Sequence, residues 1–94
     1  MALATTTIEL PLDGSWHTIE LAGSDCWVQM LGDGPVIAVV AGTTAPSTSE
    51  KGIVFSRGGL TMFPFEGITS SERIYLRAKN VGDSELVVLL GDVA

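Results

Sequence analysis

Across the chain, no stretch of ten or more residues places its apolar side chains at helical spacing. They alternate or cluster in short runs, and Gly, Pro, Asp and Ser break the runs every 8–12 residues. A helix needs apolar positions three and four apart over at least three turns, whereas alternation over four to eight residues marks a half-buried strand. The chain therefore reads as all-β. Its 94 residues make one domain, able to bury roughly 60–65% of its unfolded surface. About eight short strands are enough for two packed sheets, so the expected fold is a small antiparallel β-sandwich or jelly roll spanning 1–94. Strand order is not legible, and the two topologies stay open.

Residues 6–11 and 16–21 flank Asp13-Gly14, a dipeptide suited to the type I′ hairpin turn. That turn would pair Ile8 with Ile19 and Leu10 with His17, placing the apolar side chains on one face and Glu9, Thr18 and Glu20 on the other. Further strands are expected at 25–31 and 36–41. A second hairpin is expected from 52–57 and 60–65 around Gly58-Gly59, pairing Phe55 with Met62 and Val54 with Phe63. Residues 73–79 alternate, with Ile74, Leu76 and Ala78 on one side and Arg73, Tyr75, Arg77 and Lys79 on the other. A longer hairpin loop, 80–84, joins them to a last strand at 85–90.

Two of these strands, 36–41 and 85–90, are apolar on both faces. An antiparallel sheet usually turns a polar face to water. Nothing else in the sequence reads as a cover for the second face, so a second subunit or a larger assembly is expected to supply one. Only 17% of residues are charged, against about a quarter in ordinary soluble domains, which agrees with that expectation.

The net charge of −6 argues against nucleic acid, which needs a cationic footprint, and against anionic membranes. No apolar run approaches the ~20 residues of a membrane-spanning helix. A lone cysteine, Cys26, forms no internal disulfide, and no basic segment followed by an apolar stretch opens the sequence. Assembly in a reducing cytoplasm is the expectation.

Residues capable of chemistry are sparse. The single histidine, His17, would need Ser15 and Asp13 or Asp25 around it for a triad, or Cys26 for a thiol nucleophile. Its expected position opposite Leu10 on an apolar face makes it a packing residue. One His and one Cys fall short of a zinc site, and Asp13-Gly14 and Gly32-Asp33-Gly34 are explained as turns. Glu9 and Glu20, on one hairpin face, read as solvated charges and not as a glycosidase pair. Trp16 and Trp27 could offer stacking surfaces to a glycan. No catalytic residue, cofactor or metal is expected.

The segment Gly34-Pro35-Val36-Ile37-Ala38-Val39, then Gly42 with Pro46 and Gly52-Ile53, resembles the middle of small tailed-bacteriophage virion proteins. Ile74-Tyr75-Leu76-Arg77-Ala78-Lys79 with its short apolar final strand resembles their C-terminal hairpin, and Trp16-His17-Thr18-Ile19 their N-terminal Trp-x-x-Ile strand. The resemblance implies a non-enzymatic structural protein. Its implied role is capsid decoration (cement): a homotrimer made in the bacterial cytoplasm and bound to the major capsid protein on the outer surface of the virion. A tail or neck component, or a carbohydrate- or protein-binding sandwich module, is the alternative. Two segments are expected to grip the partner. One is an N-terminal arm, 1–5, containing Ala2, Leu3, Ala4 and Thr5. The other is the small, polar loop 42–51, through Thr43, Thr44, Ala45, Pro46 and Ser47, since long loops of this kind are commonly functional.

Overall fold

The computed structural model describes residues 4–32, 34–47, 51–80, 82 and 85–93. Among them there is no helix, and eight strands form two antiparallel sheets. In chain order the strands are β1 (Ala4–Glu9), β2 (His17–Ile19), β3 (Leu21–Met30), β4 (Val36–Ala41), β5 (Ile53–Phe55), β6 (Met62–Phe65), β7 (Arg73–Ala78) and β8 (Leu86–Val93). Sheet A has the order β1-β8-β3-β6, and sheet B the order β2-β7-β4-β5. The first strand thus pairs with the last, the second with the seventh, the third with the sixth and the fourth with the fifth. This is one long antiparallel hairpin rolled up until β8 meets β3 and β7 meets β4. The strand order resolves the open topology as a jelly roll.

All three expected hairpins outside β4–β5 are corrected by this order. The strands β1 and β2, β5 and β6, and β7 and β8 lie in different sheets, so none of these neighbours pair. The reversals fall where the turn residues place them, but with different backbone geometry. A type I′ turn needs positive φ at both central residues, and among the described residues no non-glycine residue has positive φ. The first turn is closed by the Gly14 amide on the Pro11 carbonyl, with Leu12 and Asp13 at its centre and Gly14 following at φ 77°. The second is closed by Gly59 on Ser56, with Arg57 and Gly58 (φ 85°) at its centre. Turns of the unprimed kind splay their flanking strands, and here each strand departs into its own sheet. The in/out alternation survives because Leu10 and Ile19 enter the core from opposite sheets.

The core lies between the sheets. Val28, Val87, Leu89 and Cys26 come from sheet A, and Val36, Phe55, Ile74 and Leu76 from sheet B, all fully buried. Strand β3 is irregular between Leu21 and Cys26, where its register on β8 shifts. Gly91 sits against that irregularity. A Cβ there would come 2.8 Å from the Asp25 carbonyl oxygen, so only glycine lets the two backbones approach. At one end of the sandwich the buried Glu85 accepts from the Gly34 amide at 3.2 Å, while its own carbonyl accepts from Leu10 at 2.9 Å.

The N-terminal strand begins earlier than the sequence implied. Ala4 and Thr5 pair with Gly91 and Leu90, so these two residues of the expected 1–5 arm belong to β1. Ala2 and Leu3 lie outside the described residues.

Candidate interaction surface

The outer face of sheet B is covered over β7 and β4 by the chain itself, while Val54 on the β5 edge stays 46% exposed. Tyr75 points outward from the centre of β7, yet only 1% of it is exposed. Its hydroxyl donates to the Gly42 carbonyl at 2.6 Å. Trp16, just before β2, packs edge-on against Tyr75 with 6.3 Å between centroids. The Trp16 indole donates to the Pro46 carbonyl at 2.8 Å, and the Arg77 guanidinium lies 5.4 Å over its ring. The segment after β4 is thereby fastened at Gly42 and Pro46. Beneath it Ile37, on the outer side of β4, is 7% exposed. The expectation that nothing in the chain covers the second face of 36–41 is corrected: Trp16, Tyr75 and the 42–47 segment do. Thr43, Thr44, Ala45 and Ser47 remain exposed and Pro46 is half-buried. They sit on sheet B, whereas Ala4 and Thr5 sit on an edge strand of sheet A, so the two expected gripping segments occupy different sheets.

On the outer face of sheet A nothing comparable happens. The registers arrange its outward side chains in three rows. The first crosses β6, β3, β8 and β1 as Pro64, Trp27, Leu90 and Thr5. The second is Met62, Gln29, Val88 and Thr7. The third continues the same registers just past the strand ends, with Leu60 and Leu31 beside Leu86 and Glu9. Trp27 is 44% exposed, Met62 46% and Leu90 41%, and Leu31, Leu60 and Leu86 are exposed alongside them. Trp27, Gln29, Met62, Val88 and Leu90 line a shallow hollow of about 150 Å³. Of the twelve row positions only Glu9, at the β1 edge, carries a charge. The total accessible surface of 5146 Å² matches the roughly 5,200 Å² of a compact monomer of this mass. The bare apolar face therefore reflects where apolar side chains lie, not loose packing.

The residues considered for chemistry are dispersed. His17 faces Leu76 across β2–β7, and burial lowers its pKa. Cys26 lies in the other sheet, fully buried, and desolvation pushes its thiol up to about 11, so at neutral pH it stays protonated. The Ser15 side chain and the Ser15 amide, which donates to Asp13 at 2.9 Å, are exposed turn contacts that lower the Asp13 pKa. Asp25 accepts from the Gly67 amide at 3.1 Å. Glu9 lies on β1 of sheet A, whereas Glu20 lies between β2 and β3 and 3.4 Å from Arg73 of sheet B, which removes the shared hairpin face expected for them. Trp16 and Trp27 likewise belong to opposite sheets and form no common platform. Among the described residues, no three His, Cys, Asp or Glu side chains are grouped to hold a metal ion. A cleft of about 580 Å³ opens between the β5 and β6 edges, lined by Ile53, Phe63, Phe65 and Ile68 with Glu66 and Glu72 among its walls. Glu72 is engaged by the Thr69 amide and hydroxyl, which hold its pKa down.

Of the residues on the bare face, the sequence pointed to β8 through its two-sided apolar pattern and to Trp27 as an aromatic. Met62, Leu60 and Leu31 went unrecognised, because the face they join is assembled from strands far apart in sequence. Comparison with protein-family models, with curated proteins and with solved structures finds no match for this chain.

Proposed function

We propose that the chain is a non-enzymatic structural or binding module that works by docking the outer face of sheet A. The observation that carries this reading is the uncharged, exposed apolar surface around Trp27, Met62 and Leu90, opposite a sheet whose central strands the chain covers itself. Such patches on small soluble domains commonly serve contacts. The specific role is the one implied by the resemblance to tailed-phage virion proteins: decoration of the outer capsid surface, with the major capsid protein as partner. Jelly rolls serve in capsids and in lectins alike, so the fold accommodates this role without selecting it. The acidic charge suits a protein on the outside of a shell, away from packaged DNA.

The test is co-sedimentation with heads of the phage that carries the gene, prepared without this protein. Binding by the parent chain, lost on Leu90→Lys while the circular dichroism spectrum stays β-type, is the expected result. Equal binding by both would remove sheet A from the contact, and no binding by either would remove the decoration role. A glycan reading has one observation in its favour, the exposed Trp27 ring beside the hollow. Binding to a glycan array that disappears on Trp27→Ala would favour it instead.

A further inference from the structure

We infer that the outer face of sheet A is covered by a second copy of this chain, as a face-to-face, two-fold dimer. The inference rests on the docking role given to that face above and names its occupant in the free protein, a copy that gives way when the face docks.

Area is the first argument. Six side chains on the face (Trp27, Leu31, Leu60, Met62, Leu86 and Leu90) are each about two-fifths to a half exposed. At ~200 Å² for a large side chain, they present roughly 500 Å² of apolar surface. One side of a standard interface is about 800 Å², of which about 65% is apolar in homodimers. The apolar area available thus matches what one partner of a modest homodimer contributes.

Symmetry is the second. A two-fold contact must be self-complementary: if one residue meets another, the reverse contact exists as well. Here Trp27 and Leu90 are register neighbours on the central strands β3 and β8. A two-fold axis running along the strands between β3 and β8 sets Trp27 of each copy over Leu90 of the other, twice. The hollow beside them, about 150 Å³, has room for one aromatic-sized group. Two sheets stacked in this way lie about 10 Å apart, as in any aligned sandwich.

Charge is the third. Each copy carries −6 overall, so two copies repel at long range. The centre of the face carries no charge; Glu9 lies at the β1 edge, and Asp25 on β3 and Glu66 just past β6 are exposed at the end beyond Trp27. A cationic partner would find no carboxylates in its centre, whereas a neutral apolar copy needs none. Because the attraction is apolar and the repulsion electrostatic, added salt should tighten the dimer; an ionic contact would weaken. The central polar group, Gln29, sits next to Val88 and Met62 in register and gives an isosteric probe of the contact.

The experiment is sedimentation equilibrium of the purified chain over a wide concentration range, at low and high salt, with Gln29→Glu and Gln29→Leu. The expected result is a monomer–dimer equilibrium with a dissociation constant of about micromolar order. The constant should fall severalfold as salt rises. Gln29→Glu, which buries one charge per copy at the centre, should weaken the dimer by at least about 100-fold. Gln29→Leu should tighten it. Both substitutions fall on an exposed strand position, so the circular dichroism spectrum should not change. A monomer at every concentration, a trimer, or a dimer indifferent to Gln29→Glu would each overturn the inference. A trimer would need contacts between unlike surfaces. A chain that stays monomeric yet loses capsid binding on Leu90→Lys would sink the dimer and leave the docking role standing. A dimer that ignores capsids would do the opposite.

Discussion

The two outer faces of this sandwich start from similar material and end differently. Residues 36–41 of β4 and 86–90 of β8 are both apolar on both sides. Over β4 the chain lays Trp16, Tyr75 and the Gly42–Pro46 stretch, and hydrogen bonds from the indole and the phenol fix that cover in place. Over β8 no segment among the described residues returns, and Leu86, Val88 and Leu90 face outward with Trp27 and Met62 beside them. The comparison separates two meanings of a two-sided apolar strand. Such a strand calls for a cover, and the cover can be the same chain or another molecule. Aromatic residues with polar tips decide the first case here, because their N–H and O–H find backbone carbonyls on the returning segment.

If the cover over sheet B belongs to the fold, removing its keystone should be the costliest change on either outer face. Trp16→Ala takes away a half-buried ring, its hydrogen bond to Pro46 and the surface under Arg77. Full burial of a Trp is worth about 3–5 kcal/mol against Ala, so the half-buried ring should cost about 2–3 kcal/mol. Urea denaturation followed by circular dichroism measures this, and the association state should be unchanged. A loss below about 0.5 kcal/mol, the level of a neutral surface site, would mean that the cover contributes nothing and that the two faces do not differ.

A narrower change sharpens the same contrast. Tyr75→Phe keeps the ring and its edge contact with Trp16 and deletes only the hydroxyl that donates to Gly42. The expected loss is about 1 kcal/mol, the net value of one hydrogen bond plus part of the penalty for a carbonyl left unpaired. Faster amide exchange in residues 42–47 should accompany it, since the segment loses its fastening at Gly42. Unchanged exchange there would show that the Gly42 contact does not hold the segment.

Local features of the sequence were enough to place the strands but not to pair them. The alternation of Ile74, Leu76 and Ala78 set the buried side of β7, and the 36–41 run gave β4 with its bounds. Asp13-Gly14 and Gly58-Gly59 marked true reversals. They did not show that β1 and β2, or β5 and β6, part company, because in/out alternation is satisfied equally when two strands face the core from opposite sheets. What separates the cases is backbone twist at the turn, and that depends on the sign of φ at Asp13 and Gly59, which residue type alone leaves open. Three of the rolled hairpin's four founding pairs, β1–β8, β2–β7 and β3–β6, join strands distant in sequence, so the apolar rows of sheet A were invisible one strand at a time. Trp16 and Tyr75 were visible as aromatics, but their partner carbonyls at Pro46 and Gly42 belong to a loop that reads as unattached.

The smallest expected effect falls on the bare face and is the most discriminating. Leu90→Thr replaces an outward leucine on β8, between Trp27 and Thr5 in register, with a β-branched residue suited to a strand. In the isolated monomer little packing is lost, because the leucine is 41% exposed and borders the open hollow. The stability of the dilute protein should therefore change by no more than about 0.5 kcal/mol, the range of ordinary surface substitutions. At high concentration the parent chain gains stability from association by mass action. The variant, with its cross-dimer contact to Trp27 removed, gains much less. Melting temperature against concentration measures both quantities in one series. Parallel lines for parent and variant would place Leu90 outside the contact. Converging lines at low concentration and diverging lines at high concentration would show a residue nearly silent in the fold and active between copies, the reverse of what Trp16 should do on the other sheet.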